Sequence, residues 1–278
     1  GSSSLPMPTM IGFFDSGFGG LTVLKEAVKL LPQYSYIYLG DNARAPYGDR
    51  DQETIYEYTT EGVKELFHRG AELVILACNT SSSAALRRIQ QEFLPAHFPN
   101  KHVLGIIIPT AEEIGRITRS REVGVLGTQA TVNSLAYTRE ITKVFPEIKV
   151  YEAACPMLVR LIEEGEGESL EINDLIQIYL NELLVQSFNI DTIILGCTHF
   201  ALIEDRIKRQ LPYGVQAVSQ GPIIARRLRD YLTRHPDIDA KLEKGAQRIF
   251  LSTENSKKVE SLSSLFYGEP VKIELVKL

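Results

Sequence analysis

The chain of 278 residues has 44% hydrophobic and 23% charged side chains, which is typical of a globular protein and unlike disordered, collagen-like or coiled-coil chains. No apolar run approaches the roughly 18 residues that span a bilayer, so we expect no integral membrane protein. The formal net charge of -5 argues against a nucleic-acid partner, because most nucleic-acid binders need a basic surface.

The three cysteines include no C-x-x-C pair and predict neither a disulfide framework nor a familiar zinc site. We therefore expect reduced thiols in a cytoplasmic protein that binds no metal. Residues 1–9 begin Gly-Ser-Ser-Ser and have neither the basic segment nor the apolar core of a signal peptide. We interpret them as an expression scar and disordered start before a native start near Met7 or Met10.

Strand-like and helix-like segments alternate along nearly the whole chain. Amphipathic helices are predicted at 21–31, 51–69, 82–93 and 170–188. This alternation predicts an α/β fold with largely parallel sheets, in which ligands bind beyond the carboxyl ends of the strands. The predicted strands, several of them continuously apolar as buried parallel strands should be, lie at 10–14, 36–39, 73–77, 103–108, 122–126, 149–151, 192–195, 215–218 and 248–251.

The first predicted strand is followed by Asp15 and a glycine-rich turn at residues 16–20. Such a turn exposes backbone N–H groups and can hold an anion, but it matches neither the P-loop nor the dinucleotide-binding pattern. Asp15 suits a substrate ammonium group, or it could orient a base near Cys78. A helix N-cap with glycines that only permit close packing explains the same residues about as well.

A polar loop follows the second predicted strand at residues 40–48 and reads Gly-Asp-Asn-Ala-Arg-Ala-Pro-Tyr-Gly. Its position beyond a strand end would allow it to line a site. Turn formation explains its proline and glycines equally well. Both interpretations stay open from these residues alone.

Two cysteines occupy matching positions, each after an apolar strand and before polar side chains suited to a helix start. Asn79 and Thr80 follow Cys78, while Thr198 and His199 follow Cys197. A helix N-terminus favours the thiolate, the nucleophilic and basic form. A single cysteine at a strand end is more often inert core, but two in matching contexts favour a function. The third cysteine lacks the polar residues and is interpreted as structural.

Two thiols facing one carbon from opposite sides can remove a proton from one face and return a proton to the other. This chemistry needs one thiolate and one thiol at any moment. Because the pKa of a free cysteine is about 8.5, neighbouring groups must adjust it. His199, two residues after Cys197, is the candidate partner of that thiol, although a purely structural histidine is the alternative.

Taken together, these motifs resemble those of glutamate racemases, cofactor-independent enzymes that supply D-glutamate for bacterial peptidoglycan. The resemblance extends from about residue 10 to residue 230, and its motifs occur in the family's order. It rests on residues 15–21, 40–48, 77–80, 124–128, 154–156 with 163–165, and 196–199.

The resemblance implies two similar α/β domains with parallel sheets and the active site in the cleft between them. The first would comprise residues 10–108 and 213–278, and the second residues 109–212. It further implies an enzyme that needs no cofactor, acts on L- and D-glutamate and commonly forms a homodimer.

The resemblance also assigns the site residues. Cys78 and Cys197 would transfer the protons, assisted by Asp15, Glu163 and His199, although Glu164 stands directly beside Glu163. The implied substrate contacts are Asp15, Ser16, Tyr47, Gly48, Asn79, Thr80, Thr128, Thr131, Thr198 and His199.

Three segments depart from the family pattern. They are Phe200-Ala201 after the second cysteine motif, Arg160-Leu161 before the acidic pair, and Ser219-Gln220-Gly221 in place of an acidic segment. We expect these departures to affect helix starts and the edges of the cleft rather than the proton-transfer groups.

Three alternatives remain at this point. Aspartate racemases and related enzymes share the paired-cysteine plan, so the substrate could be another amino acid. A non-catalytic amino-acid-binding or anion-binding module would keep the helix-terminus sites without needing either thiol. A redox protein is the least favoured alternative because the chain has no C-x-x-C pair.

Overall fold

The computed structural model describes residues 9–278. Within them, the backbone forms strands and helices that alternate for most of the chain. The strands are Met10–Asp15 (β1), Tyr36–Gly40 (β2), Ala71–Leu76 (β3), His102–Gly105 (β4), Glu122–Gly127 (β5), Lys149–Ala154 (β6), Thr192–Gly196 (β7), Gln216–Val218 (β8), Arg248–Ser252 (β9) and Ile273–Leu275 (β10).

The helices fill the connections between these strands, together with 3-10 turns at Asn42–Arg44 and Thr198–Ile203 and a π turn at Ile89–Phe93. Asp51 and Thr128 begin two of the helices as side-chain N-caps. The helices are Gly20–Leu30 (α1), Gln52–His68 (α2), Asn79–Ala84 (α3), Leu86–Arg88 (α4), Leu94–His97 (α5), Ile107–Ile117 (α6), Gln129–Asn133 (α7), Ala136–Val144 (α8), Pro156–Glu164 (α9), Glu171–Leu184 (α10), Glu204–Gln210 (α11), Gly221–Arg234 (α12), Pro236–Asp239 (α13) and Lys257–Tyr267 (α14).

The strands form two sheets. The first has six strands in the order β10-β9-β2-β1-β3-β4, and the second has four in the order β6-β5-β7-β8. Every strand pair in both sheets is parallel. The central strands β1, β2, β3 and β7 are buried along their whole length, which agrees with their largely apolar sequences. The predicted α/β fold with two parallel sheets is confirmed.

The chain crosses between the two sheets twice. The first crossover leads from the end of β4 at Gly105 into α6, and the second leads from the end of β8 into α12, which packs against α1. We predicted that residue 213 begins the return to the first domain. This boundary is wrong for β8, because Thr192, Ile193 and Ile194 of β7 pair with Gln216–Val218. The return therefore lies after Val218.

Some predicted elements differ from the structure. The predicted strand at 103–108 ends at Gly105, and the following isoleucines begin α6 instead. The single helix predicted at 82–93 is divided into α3, α4 and a π turn that precedes Pro95. Pro95 lacks a backbone N–H and its ring crowds the carbonyl one turn earlier, which favours an irregular turn there. The short strand β10 was not predicted.

A single apolar cluster extends from the first domain into the second. It contains Ile11 and Leu21 of the first domain and Leu158 and Phe200 of the second. Separate clusters lie on the outer faces of the two sheets. Within residues 9–278, no helix has the length and hydrophobicity to cross a membrane.

Candidate active site

A cavity of about 550 Å³ opens at the carboxyl ends of both sheets. Residues that follow β1, β2, β3, β5, β6, β7 and β9 line it, as expected for parallel α/β sheets. Twelve of the thirteen predicted site residues lie on this lining: Asp15, Ser16, Tyr47, Gly48, Cys78, Asn79, Thr80, Thr128, Glu163, Cys197, Thr198 and His199. The remaining one, Thr131, is not on the lining.

Cys78 is buried at the start of α3, where its sulfur accepts a hydrogen bond from Ser81 N at 3.4 Å. The hydroxyl of Ser16 lies 3.5 Å from the same sulfur. We expected the helix start to favour the thiolate. Burial nevertheless raises the pKa of Cys78, and the neighbouring Asp15 carboxylate raises it further, although Ser16 and Ser81 act in the opposite direction. The structure therefore favours the Cys78 thiol.

Asp15 ends β1 and is only 1% exposed. Its Oδ2 accepts a hydrogen bond from Gly17 N at 2.9 Å, whereas Oδ1 has no partner among the described residues. Burial raises the pKa of Asp15, and His199 partly opposes this shift. The N-cap interpretation is not supported, because the N-cap residue of α1 is Gly19 and this position has no side-chain cap.

Cys197 follows β7 and belongs to a buried chain of three ionisable groups. Its sulfur lies 3.5 Å from His199 Nδ1, and His199 Nε2 lies 3.0 Å from Glu163 Oε1. The second contact is close enough for an ion pair between the protonated imidazole and the carboxylate. Burial opposes protonation of the imidazole, but Cys197 and Glu163 outweigh it and raise the pKa of His199 well above its usual range.

The structure distinguishes between the two adjacent glutamates at the end of α9. Glu163 points to His199, and its side chain is only 16% exposed. Glu164 is half exposed and pairs with Arg160 at 3.1 Å, one helical turn earlier. Glu163 is therefore the residue that contacts the imidazole.

Gly19 allows the glycine-rich turn to approach the second cysteine loop closely. A Cβ atom at this position would overlap Thr198 Oγ1 and would lie 2.8 Å from His199 Nδ1. Thr22 Oγ1 further links the two loops, because it donates to the carbonyl of Gly19 at 2.7 Å and lies 3.3 Å from the carbonyl of Thr198. The glycine-rich turn therefore allows the two domains to pack closely against each other near the site.

Hydroxyl groups connect the two sides of the cavity. Thr80 Oγ1 lies 2.9 Å from Thr128 Oγ1, which joins the start of α3 to the N-cap of α7. Thr131 is fully buried behind this pair and hydrogen bonds to Thr128 Oγ1 through both its hydroxyl and its backbone N–H. Thr131 therefore supports Thr128 instead of facing the cavity.

The polar loop after β2 contributes Tyr47 and Gly48 to the lining. The Tyr47 hydroxyl donates a hydrogen bond to the buried Asp41 carboxylate, which also accepts one from Arg44 Nε at 2.7 Å. Gly48 O accepts from Ala130 N at 2.9 Å, and a Cβ at Gly48 would approach Thr128 to 3.0 Å. The loop therefore closes against α7 of the second domain, which favours the site interpretation.

The sequence analysis did not identify two parts of the lining. Pro156, Met157 and Arg160 come from α9, and Glu254 and Lys258 come from the segment after β9. Because β9 was predicted, the rule that ligands bind beyond strand ends could have identified the second group. The same rule applied to the start of α9, which follows the predicted strand at 149–151, whereas nothing in the sequence identified Arg160 one turn later.

The geometry brings together two buried thiols with different partners. One lies beside a hydroxyl and a carboxylate, and the other beside an imidazole backed by a carboxylate. Such an arrangement can exchange protons with a ligand in the cavity from two positions. Short polar side chains between them can bind an anionic ligand without a net positive charge.

Comparison with known proteins agrees with this chemistry. A family model for Asp/Glu/hydantoin racemases matches residues 21–228. The chain belongs to this family. A glutamate racemase from Jannaschia sp. is 39% identical to it, over 96% of this chain and 99% of that relative. The predictions of an amino-acid racemase and of a resemblance to glutamate racemases are confirmed.

Solved structures of glutamate racemases share the whole fold. An isoform from Bacillus anthracis superposes with a TM-score of 0.88 at 30% identity and covers 98% of both chains. The enzyme from Francisella tularensis, solved in complex with D-glutamate, gives a TM-score of 0.85 at 32% identity and covers 97% of both chains. The likeness therefore includes both domains.

Proposed function

We propose that this protein interconverts L- and D-glutamate by proton transfer between two cysteines, without a cofactor. The observation that carries the proposal is that Cys78 and Cys197, far apart in sequence, border one cavity with separate sets of partners. A single thiol would suffice for proton exchange that retains configuration. Inversion needs an acid and a base on opposite faces of the carbon.

In the proposed reaction one cysteine is a thiolate and the other is a thiol. The thiolate takes the proton from the α-carbon, and the electron pair of the broken C–H bond stays on that carbon. The thiol then donates its proton to the opposite face, so a new C–H bond forms and the second sulfur becomes the thiolate. The reverse reaction uses the same groups with their roles exchanged.

The neighbours of each sulfur support its change of charge. Protonated His199 stabilises the Cys197 thiolate, and Glu163 keeps the imidazole protonated by raising the pKa of His199. On the other side, Asp15 opposes the Cys78 thiolate, but Oδ1 of Asp15 has no hydrogen-bond partner among the described residues and would pair with a substrate ammonium group. Binding of that cation would offset the carboxylate charge and favour ionisation of Cys78.

Neutral donors would bind the carboxylates of the substrate. Ser16, Asn79, Thr80, Thr128 and Thr198 line the cavity with hydroxyl and amide groups. Several stand at the start of helices or turns, where backbone N–H groups are free and the local dipole favours an anion. This explains how a protein of net charge -5 could bind a dianion.

Further proposals concern the protein in the cell. We propose a cytoplasmic homodimer that supplies D-glutamate for peptidoglycan. Light scattering of the purified protein tests the dimer, and restored growth of a bacterial strain that requires D-glutamate tests the supply. Full activity after treatment with a metal chelator, with no pyridoxal phosphate added, is the result expected for a cofactor-independent enzyme.

The first experiment is proton NMR of enantiopure L-glutamate in D2O with the purified protein, combined with chiral analysis. We expect the α-proton to be replaced by deuterium as D-glutamate forms. Cys78→Ala and Cys197→Ala should each abolish racemisation, whereas Cys155→Ala should retain it, because Cys155 is fully buried outside the cavity lining.

Three outcomes would contradict the proposal. No exchange with glutamate by folded protein would argue for another substrate, and aspartate would then be tested in the same assay. Racemisation at the wild-type rate by either alanine variant in the cavity would exclude the two-cysteine mechanism. If Cys155→Ala lost activity at unchanged stability, a cysteine outside the cavity lining would also be needed for the reaction. The position of a thiol on the lining would then not identify the catalytic cysteines.

A further inference from the structure

A buried cluster of polar side chains lies behind Asn79, where the two crossovers meet. Gln220 belongs to the second crossover, whereas Thr110 and Tyr137 belong to α6 and α8 of the second domain. None of the four side chains is more than 3% exposed. Since buried polar groups must find partners within the protein, their hydrogen bonds determine how each amide is oriented.

Thr110, which lies in the first crossover, determines how the Gln220 amide is oriented. Thr110 Oγ1 donates its only proton to the carbonyl of Ile106 at 2.7 Å. The hydroxyl must therefore act as an acceptor toward Gln220 Nε2, which lies 3.1 Å away. The carbonyl of Gln220 consequently points the other way, where it accepts from Asn79 Nδ2 at 2.6 Å.

Tyr137 fixes the other half of the Asn79 amide. Its hydroxyl accepts from Gln220 Nε2 at 2.7 Å and donates to Asn79 Oδ1 at 2.7 Å. Gln220 Nε2 also lies 3.2 Å from Asn79 Oδ1. The two N–H groups of Gln220 Nε2 already point to Thr110 and Tyr137, so the Tyr137 hydroxyl is the donor that holds Oδ1. One of the two N–H groups of Asn79 Nδ2 is used by the Gln220 carbonyl. The second N–H of Asn79 is the group left for the cavity.

We propose that Gln220 is a positioning residue that holds the Asn79 amide with this N–H toward the cavity, as a donor for a substrate carboxylate. The inference rests on the proposed function and deepens it. A reversed amide would turn its carbonyl oxygen toward an anionic substrate and would break buried hydrogen bonds to Gln220 and Tyr137. The departure from the family pattern at residues 219–221 therefore has a consequence for substrate binding.

The test is steady-state racemisation of both enantiomers by Gln220→Met, which keeps the side-chain length and removes every hydrogen bond. Because Asn79 contacts the substrate before and during reaction, its misorientation should raise KM and leave kcat nearly unchanged. The loss of about one hydrogen bond corresponds to a rise in KM of about two- to tenfold. Tyr137→Phe, which removes only the hydroxyl, should act in the same direction.

A double-variant cycle distinguishes positioning from general structural damage. If Gln220 acts through Asn79, Gln220→Met should add nothing to the KM of Asn79→Ala. The matched control is Arg226→Gln, because Arg226 also joins α12 to α6, through Glu113 at 3.3 Å, but does so at the surface. That variant should leave KM unchanged.

The possible outcomes separate this inference from the proposed function. Wild-type protein that does not racemise glutamate contradicts both. Active wild-type protein with an unchanged KM in Gln220→Met and Tyr137→Phe overturns only the role of Gln220. Additive effects of the Asn79 and Gln220 substitutions, or a fall in kcat alone, also overturn it.

Discussion

Replacing Glu163 with glutamine removes a charge that lies 3.0 Å from His199 Nε2 and keeps the size of the side chain. At that distance, Coulomb's law with an effective dielectric constant of about 20 gives about 5.5 kcal/mol before desolvation is subtracted. Net contributions of hydrogen bonds to charged groups are about 1.5 to 3 kcal/mol. We therefore expect Glu163→Gln to lower kcat/KM by about 10- to 150-fold.

The two enantiomers have equal free energy, so kcat/KM must fall equally in both directions. The pH dependence provides a second readout. In the wild type, Cys197 and Glu163 overcome the effect of burial and raise the pKa of His199, so the imidazole stays protonated above its usual range. The glutamine variant should lose this protonation sooner as pH rises. The alkaline limb of its kcat/KM profile should move to lower pH.

The matched control is Glu164→Gln, because Glu164 is adjacent in sequence and pairs with Arg160 outside the His199 contact. This variant should keep the wild-type rate and pH profile. Equal losses in the two variants would refute the assignment of Glu163. A Glu163→Gln enzyme with wild-type kcat/KM and an unshifted alkaline limb would refute the proposed support of Cys197 through His199.

Two further predictions concern close packing and stability. Gly19→Ala should lower kcat/KM by about 100-fold, since its Cβ would displace His199, whereas Gly167→Ala, with open space around it, should be neutral in the same assay. Glu72→Gln should lower the free energy of unfolding at pH 7 by about 1.5 to 3 kcal/mol, measured in urea. Burial opposes ionisation of the Glu72 carboxyl, but Lys101 and Lys241 outweigh it and lower the pKa of Glu72. The difference should therefore shrink as pH falls through the folded-state pKa, and a constant difference would contradict it.

The sequence allowed prediction of where the site lies because apolar strands end abruptly in polar residues. Cys78 and Cys197 are distant in the chain, yet each lies within two residues of the end of a buried strand. In parallel sheets those ends carry the ligand site, so their positions on one cavity could be expected. The family motifs supplied the candidate assisting residues, whose roles stay predictions. The contact between Cys197 and His199 could also be predicted without the family, because the two residues are only two positions apart.

Other features could not be predicted because they depend on distant residues or on helix phase. Neighbouring residues on a helix point about 100° apart, so either Glu163 or Glu164 could have faced His199 until the packing of α9 was known. The isoleucines at 106–108 have a strand-like composition, and tertiary packing places them at a helix start. Gln220 meets partners from three other elements, and no local pattern identifies such a cluster.

The two cysteines of the cavity have unequal surroundings. Cys197 lies beside an imidazole that can be cationic, whereas Cys78 lies beside Ser16 and a carboxylate that raises its pKa. Racemisation does not require matched bases, because the equal free energies of the enantiomers constrain only kcat/KM in the two directions. Within the proposed mechanism, the substrate ammonium group supplies near Asp15 the positive charge that His199 supplies near Cys197. Ionisation of Cys78 is then coupled to occupancy of the site, which limits the reactive thiolate there to the bound complex.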